Sequence, residues 1–173
     1  MLRRALTCLL LAAPLLAGGG GTLAVKGKNF MAEVAVTEQE KAKGLMYRQS
    51  LAKDRCMIFL YGEDGQHPIW MKNCLIALDV AWIDADGRIT GLIADIPPCS
   101  PMLGDNCPTY GDAFGCRYFV EFPVGTFRSL GLKKGDHIGW DLQLDDGTPV
   151  KGGAPVPAQK SAKRKPAKPK RRK

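Results

Sequence analysis

Histidine is scarce in this chain: only His67 and His137 occur, and neither lies near a pair of cysteines. Zinc sites use paired Cys-x-x-Cys or His-x-x-His spacings, which bring two ligands to one side of the metal. The sequence therefore predicts no zinc site, and no other metal centre of defined spacing.

Catalytic patterns are missing as well. A serine nucleophile needs a constrained turn and a neighbouring base, and the local sequences of Ser50, Ser100 and Ser129 supply neither. The glycine run at 18–21 lies in the N-terminal segment and does not form a phosphate-binding loop, so no cofactor is predicted. We expect a non-catalytic protein and keep an extracytoplasmic enzyme of unknown reaction as the alternative.

One long apolar run occurs, at residues 5–17, and a helix of that length is too short to cross a bilayer core of about 30 Å. A basic start precedes the run and small residues follow it, which is typical of a secretory signal peptide. We predict a signal peptide at 1–24, cleaved after Ala17 or Ala24, and export to the periplasm or the extracellular space. A retained membrane anchor is the alternative.

Acidic and aromatic residues are both missing from residues 151–173, which hold ten lysines or arginines and four prolines. Such a composition cannot bury a core, so we predict a disordered basic tail. In an exported protein this tail would contact anionic envelope surfaces, and a purely solubilising tail is the alternative. Specific nucleic-acid binding is not predicted, because no aromatic residues are interleaved with the charges.

Residues 25–150 are long enough for a single domain with its own core, and residues 22–150 are mildly acidic, with 13 basic and 17 acidic side chains.

A capping box at 37–40 predicts a two-turn helix that stops at Gly44, and a second short helix is expected at 125–130. Turns are expected at 62–65 and 86–87. Apolar or alternating segments predict strands at 29–36, 56–61, 69–73, 78–83, 88–96, 118–122 and 137–144. The expected fold is mainly β, a compact sandwich or open barrel of six to seven short strands with two short helices.

Two motifs in this region are specific: Gly-Leu-Met-Tyr-Arg at 44–48 and Trp-Met-Lys-Asn at 70–73. With the shorter matches around them, they make residues 30–141 resemble the family called domain of unknown function 192. The resemblance implies a compact β domain that is frequently exported, and it implies no activity. The chain departs from the family pattern at Cys56, where glycine is usual, and at Cys74, where threonine is usual.

Polar side chains interrupt the apolar segment at 70–84. A polar group buried without a partner costs roughly 1 to 3 kcal/mol, so these groups need a ligand, a paired network or solvent. We predict a binding module for a small envelope ligand, because an aromatic wall with a few polar groups is typical of ligand sites. The alternative is an internal ion-pair network of Arg48, Asp79 and Glu121 that locks the helix onto the sheet. The candidate site residues are Arg48, Trp70, Lys72, Asn73, Asp79 and Glu121.

The five cysteines of the domain are odd in number, so at least one thiol stays free. Cys99 and Cys107 enclose a loop without periodicity, and we predict that an exported chain bridges them. A second bridge among Cys56, Cys74 and Cys116 has three possible pairings, and burial of all three as core residues is the alternative.

Soft ligands suggest one further alternative, a copper-handling protein. Met46, Met57, His67 and Met71 are all suitable ligands for copper(I) in an exported chain. Core packing is the ordinary role of methionine, so the binding module remains the main prediction.

Overall fold

A computed structural model describes residues 19–153. The predicted cleavage site at Ala17 and the predicted tail from residue 154 onward lie outside the described residues. None of the helices in the described part of the chain combines the length and the apolar character that a membrane crossing needs.

Short strands dominate the described chain. In order, the elements are β1 (Gly20–Val25), β2 (Lys28–Ala35), α1 (Glu38–Lys43), β3 (Arg55–Gln66), β4 (Ile69–Trp70), β5 (Leu78–Ile83), β6 (Ile89–Ile96), a 3₁₀ helix (Pro101–Asn106), β7 (Thr109–Tyr110), β8 (Gly115–Pro123), α2 (Thr126–Leu130), β9 (Ile138–Gln143) and β10 (Pro149–Gly153).

Eight strands form one curled sheet, a half-barrel, in the order β10-β9-β1-β2-β3-β8-β5-β6. Neighbours are antiparallel except β2 and β3, which run parallel because the segment with α1 carries the chain back across the sheet. Strands β4 and β7 pair as a separate small sheet. The start of β6 approaches the start of β9, where Arg88 and His137 form an isolated bridge. The predicted mainly-β class is confirmed, in the form of an open barrel.

Strand number and length differ from the prediction. The described chain has ten strands, of which β1, β7 and β10 were not predicted. Residues 62–65, predicted as a turn, lie within β3, because a register shift between Leu60 and Gly65 absorbs them without ending the strand. The predicted strand at 69–73 is shortened to β4, and Asn73 has a positive φ of 56°, which a strand does not accommodate.

The strands extend beyond the predicted domain limits of 25 and 150, since β1 begins at Gly20 and β10 ends at Gly153. Strand β1 lies between β2 and β9, and a Cβ atom on Gly21 would lie 2.3 Å from the Asp141 carbonyl oxygen. Only glycine permits this close approach. Cleavage after Ala24 would remove five of the six residues of β1, so of the two predicted sites Ala17 alone leaves the strand intact.

The sheet packs apolar side chains into two clusters on its opposite faces. Alternation along β3 and β8 places Ile58 and Val120 in the first cluster and Phe59 and Phe119 in the second. The Phe59 and Phe119 rings stack with their centroids 4.2 Å apart. Glu121 follows Phe119 by two residues, so its carboxyl group faces the second cluster.

The predicted bridge between Cys99 and Cys107 is present, with the sulfur atoms 2.07 Å apart. Within the described range Cys56, Cys74 and Cys116 are free and buried, so the core-residue alternative holds for all three. Burial raises the pKa of the Cys56 thiol well above its ordinary value, and this side chain packs in the first cluster as a small apolar group.

Candidate ligand-binding cavity

A capping box fixes the start of α1 at the end of β2. The Thr37 hydroxyl accepts from the Glu40 backbone N–H, and the Glu40 carboxylate accepts from the backbone N–H groups of Val36 and Thr37. These backbone hydrogen bonds lower the pKa of Glu40. The chain then turns at Gly44, whose φ is +42°, and a Cβ atom on this residue would lie 3.2 Å from the Phe59 ring.

A cavity of about 310 Å³ lies between α1, the small sheet and the Phe59–Phe119 stack, and we call it the Glu121 cavity. Its inner side is mostly aromatic and aliphatic, and exposed residues of α1 line its open side. The lining residues are Glu38, Lys41, Ala42, Lys43, Gly44, Leu45, Met46, Phe59, Tyr61, Pro68, Ile69, Trp70, Met71, Cys74, Phe119 and Glu121.

Glu121 is the buried acid of this cavity. It lies on β8 between Met57 of β3 and Val80 of β5, and it is only 7% exposed. Its Oε2 atom has no hydrogen-bond partner within residues 19–153. Burial raises the pKa of Glu121 from 4.5 to about 8, and the nearby positive charge of Arg48 opposes this rise only in part. The carboxyl group is therefore mostly protonated at neutral pH.

Arg48 is held by a different acid from the one that the sequence suggested. Its guanidinium group binds the carboxylate of Glu33 in a bidentate pair, with N···O distances of 2.8 and 2.5 Å. Glu33 lies on β2 and is buried. The predicted network of Arg48, Asp79 and Glu121 is therefore replaced by the pair of Arg48 and Glu33. The signal for Glu33 was present in the sequence, as an acid among the otherwise apolar residues 30–35 of this strand.

Asp79 has a structural role away from the cavity. It is fully buried, and its two oxygens accept from the backbone N–H groups of Asp95, at 2.9 Å, and Phe127, at 2.8 Å. Phe127 lies in the first turn of α2, and Asp95 has a positive φ of 55°. The carboxylate thus ties an irregular residue of β6 and the start of α2 to β5.

Trp70 lines the cavity and is 41% exposed. Its indole N–H donates to the carbonyl oxygen of Cys107 at 2.9 Å, so the disulfide loop holds the ring in place. The Lys72 ammonium lies 4.7 Å from the centroid of the Trp70 ring and pairs with Asp105 of the same loop. Lys72 therefore contacts the Trp70 ring but does not itself line the cavity.

Asn73 also lies outside the lining and fixes a neighbouring turn. Its backbone carbonyl oxygen accepts from the Tyr47 backbone N–H at 2.8 Å, and its side-chain amide nitrogen lies 3.9 Å from the Met46 sulfur. Of the six predicted site residues, Trp70 and Glu121 line the cavity and Arg48 acts on Glu121 through its charge. Lys72 and Asn73 support the rim, and Asp79 lies elsewhere.

Lys41 and Tyr61 belong to the cavity and were not predicted. The Lys41 ammonium lies 4.3 Å from the centroid of the Tyr61 ring and pairs with Glu38 at 2.6 Å. Tyr61 also stacks on His67, and burial raises the pKa of its hydroxyl to about 12. These contacts join a helix to β3, so no sequence motif marks them.

The thiol of Cys74 lines the cavity but is poorly suited to act as a nucleophile. Burial raises the pKa of Cys74 to about 11, and the thiol donates to the Ile76 carbonyl oxygen at 3.5 Å. A protonated thiol is a weak nucleophile. No group of three or more histidines, cysteines or acids in the described part of the chain is arranged to hold a metal ion.

Comparison with known proteins gives a family and no activity. A model of the family DUF192, described as "Uncharacterized ACR", matches residues 21–140. The chain is also similar to a UPF0127 protein of Thermococcus gammatolerans, with 27% identity over 127 residues, which cover 71% of this chain and 76% of that protein.

Two solved structures are similar in fold. One is a protein of Sinorhizobium meliloti named as a candidate transcription regulator, with a TM-score of 0.63, 28% identity, and coverage of 75% of this chain and 98% of that one. The other is a protein of unknown function from Novosphingobium aromaticivorans, with a TM-score of 0.61, 29% identity, and coverage of 70% and 84%.

The raised pKa of Glu121 predicts that its contribution to the free energy of unfolding decreases as the pH rises. The folded state keeps the Glu121 proton up to about pH 8, whereas the unfolded chain loses it near pH 4.5. This contribution to stability is complete below pH 4.5 and is lost as the pH rises toward 8, at up to about 1.4 kcal/mol per pH unit. Glu121→Gln has no proton to lose, so its free energy of unfolding should rise relative to the native chain as pH increases. Urea denaturation at a series of pH values measures this difference.

The matched control is Glu63→Gln, which removes one exposed carboxylate of β3. Its pH profile should run parallel to that of the native chain. A parallel profile for Glu121→Gln as well would mean that Glu121 titrates normally in the folded protein.

Proposed function

The chain belongs to the DUF192 family, and we propose that its domain is a non-catalytic module that binds a small organic molecule in the Glu121 cavity. The observation that carries this proposal is the unpartnered Oε2 atom of the buried Glu121, considered among residues 19–153. Leaving such an atom without a partner costs roughly 1 to 3 kcal/mol, and a bound ligand would recover this free energy.

The size and lining of the cavity support the same proposal. Its volume of about 310 Å³ is at the lower end of the range for small-molecule pockets. Phe59, Phe119 and Trp70 supply apolar surface, and Glu121 supplies a polar group on the inner side that would orient a ligand. The protonated Cys74 thiol does not favour the alternative of a cysteine enzyme.

A copper-handling protein remains the second candidate function, because Met46, Met71 and Cys74 line the same cavity. Thioethers are ligands that copper(I) prefers, and Cys74 would bind it as a thiolate, with release of the thiol proton. Met57 and His67, the other two predicted soft ligands, lie outside the lining. Copper(I) therefore serves as one of the probes in the binding experiment below.

The role named for the Sinorhizobium meliloti relative does not guide the proposal. Residues 22–150 carry 13 basic and 17 acidic side chains, a formal net charge of −4. A surface of this charge does not favour the phosphate backbone of nucleic acid.

We also propose that the chain is exported and takes its ligand from the cell envelope. Two observations support export: the basic start and apolar run of residues 1–17, and the bridge between Cys99 and Cys107, because disulfides persist in oxidising compartments. The basic residues after Gly153 would then hold the domain near anionic lipid or wall polymers.

The cavity proposal predicts that closing the open side weakens binding without unfolding the domain. Ala42 is an exposed residue of α1 that lines the cavity, so Ala42→Trp places an indole in the opening. The probes are benzyl alcohol, benzamide, benzylamine and copper(I), titrated against the native chain while NMR shifts of the lining residues are recorded. We expect at least one organic probe to bind and Ala42→Trp to weaken that binding tenfold or more, by about 1.4 kcal/mol.

The control is Gln39→Trp, an exposed position on the same helix that does not line the cavity. It should bind like the native chain. If no organic probe shifts the lining residues at about 10 mM, the small-molecule proposal is wrong, and saturable binding of copper(I) alone would favour the second candidate.

The envelope proposal predicts that the basic tail directs vesicle binding. The truncation must start after Gly153, because β10 pairs with β9 and Lys151 contacts Asp141 at 3.0 Å. Removing residues 154–173 should leave thermal unfolding unchanged and weaken sedimentation with anionic vesicles, with the largest loss at low salt. Vesicles of neutral lipid are the control. Equal sedimentation of the full and truncated chains would remove the proposed role of the tail.

A further inference from the structure

We infer that the ligand of the Glu121 cavity is a small amine, bound with its ammonium group against the Oε2 atom of Glu121 and its apolar part against the aromatic walls. This inference rests on the proposed binding function and names the class of ligand. Its basis is the balance of charge around one buried carboxyl group.

The buried charges near Glu121 do not balance when all are ionised. Glu33 and Arg48 neutralise each other in their bidentate pair, at 2.8 and 2.5 Å. Glu121 adds a second carboxylate, and none of the ion pairs between described residues includes it. One positive charge is therefore needed beside Glu121, either a proton or a cation from outside.

The groups around Glu121 do not provide that charge. From β3, Tyr61 presents a hydroxyl whose pKa is raised to about 12, and from the segment after β4, Cys74 presents a thiol whose pKa is raised to about 11. Both stay neutral at physiological pH. Met57 and Val80, the residues opposite Glu121 on β3 and β5, carry no charge.

The lysines of α1 that line the cavity do not supply the charge either. Lys41 pairs with Glu38 at 2.6 Å and lies over the Tyr61 ring at 4.3 Å. Lys43 is an exposed residue on the open side of the cavity. Neither ammonium group pairs with Glu121, which lies on the inner side.

An ammonium group fits this environment better than a metal ion. A single carboxylate oxygen satisfies one N–H of an ammonium group, whereas calcium or magnesium needs six or more oxygen ligands, or ordered water. The aromatic walls suit the hydrocarbon part of an amine, and aromatic faces attract cations. Two rings of the lining already do so, since Trp70 lies against Lys72 and Tyr61 against Lys41.

The inference fixes the direction of the pH dependence. An ammonium group pairs with the ionised carboxylate, so binding must displace the Glu121 proton. The ionised fraction of a group with a pKa of about 8 rises about 50-fold from pH 6 to pH 8, and the affinity for a permanently protonated amine should rise by the same factor. A neutral ligand that accepts from the protonated carboxyl group should instead bind less tightly as the pH rises.

Benzylamine and benzyl alcohol form a matched pair of probes, equal in shape and different in charge. Titration calorimetry with the full chain should show tighter binding of benzylamine, an affinity that rises about 50-fold between pH 6 and pH 8, and release of about one proton per amine near neutral pH. The proton count comes from the native chain alone, in two buffers with different heats of ionisation, so it does not depend on the folding of a variant.

Glu121→Gln should remove the pH dependence and most of the affinity for benzylamine. The control Glu63→Gln, with the same change of charge at an exposed site, should keep both. If benzyl alcohol binds and benzylamine binds no better at any pH, the amine inference is wrong and the proposed function stands. If neither binds, both are wrong, and equal benzylamine binding by Glu121→Gln would also overturn the inference.

Discussion

The burial of one carboxyl group, on β8 of the half-barrel, is the constraint on which the candidate site depends. Glu121 occupies a position where alternation calls for an apolar side chain, between Met57 and Val80 and two residues beyond Phe119. An aliphatic residue there would fill the second cluster without cost. The fold instead keeps an acid, whose desolvation makes it hold a proton at neutral pH, beside a cavity open to α1. Packing of the second cluster does not by itself require an acid at this position.

The other buried acidic side chains of the described chain have partners within the domain. Glu33 and Arg48 form a bidentate pair, which ties the segment after α1 to β2. Asp79 accepts two backbone N–H groups and so needs no cation beside it. Among the buried acids of residues 19–153, Glu121 is thus distinguished by an oxygen atom without a hydrogen-bond partner. This contrast separates the candidate site from the structural acids more clearly than exposure or charge does.

Local features of the sequence predicted local features of the structure. The capping box gave α1, the isolated pair of cysteines gave the disulfide, and alternation gave β2, because each depends on neighbouring residues. Strand β1 was hidden by its glycines, whose purpose is the close approach to β9, and the turn-like residues 62–65 lie in β3 because of its pairing with β8. Trp70 and Glu121 were both predicted, but their shared cavity, and the pairing of Arg48 with Glu33, follow from contacts between distant segments.

The direct test of this view of the site is the titration of Glu121 itself, followed through the ¹³C resonance of its side-chain carboxyl carbon by NMR. Assignment by comparison with Glu121→Gln identifies the signal. The structure predicts a midpoint near pH 8, because the carboxyl group is buried and its Oε2 atom lacks a partner within the described chain. A midpoint near the ordinary value of 4.5 would show that the carboxylate is solvated or paired, and would contradict a cavity built around a buried acid.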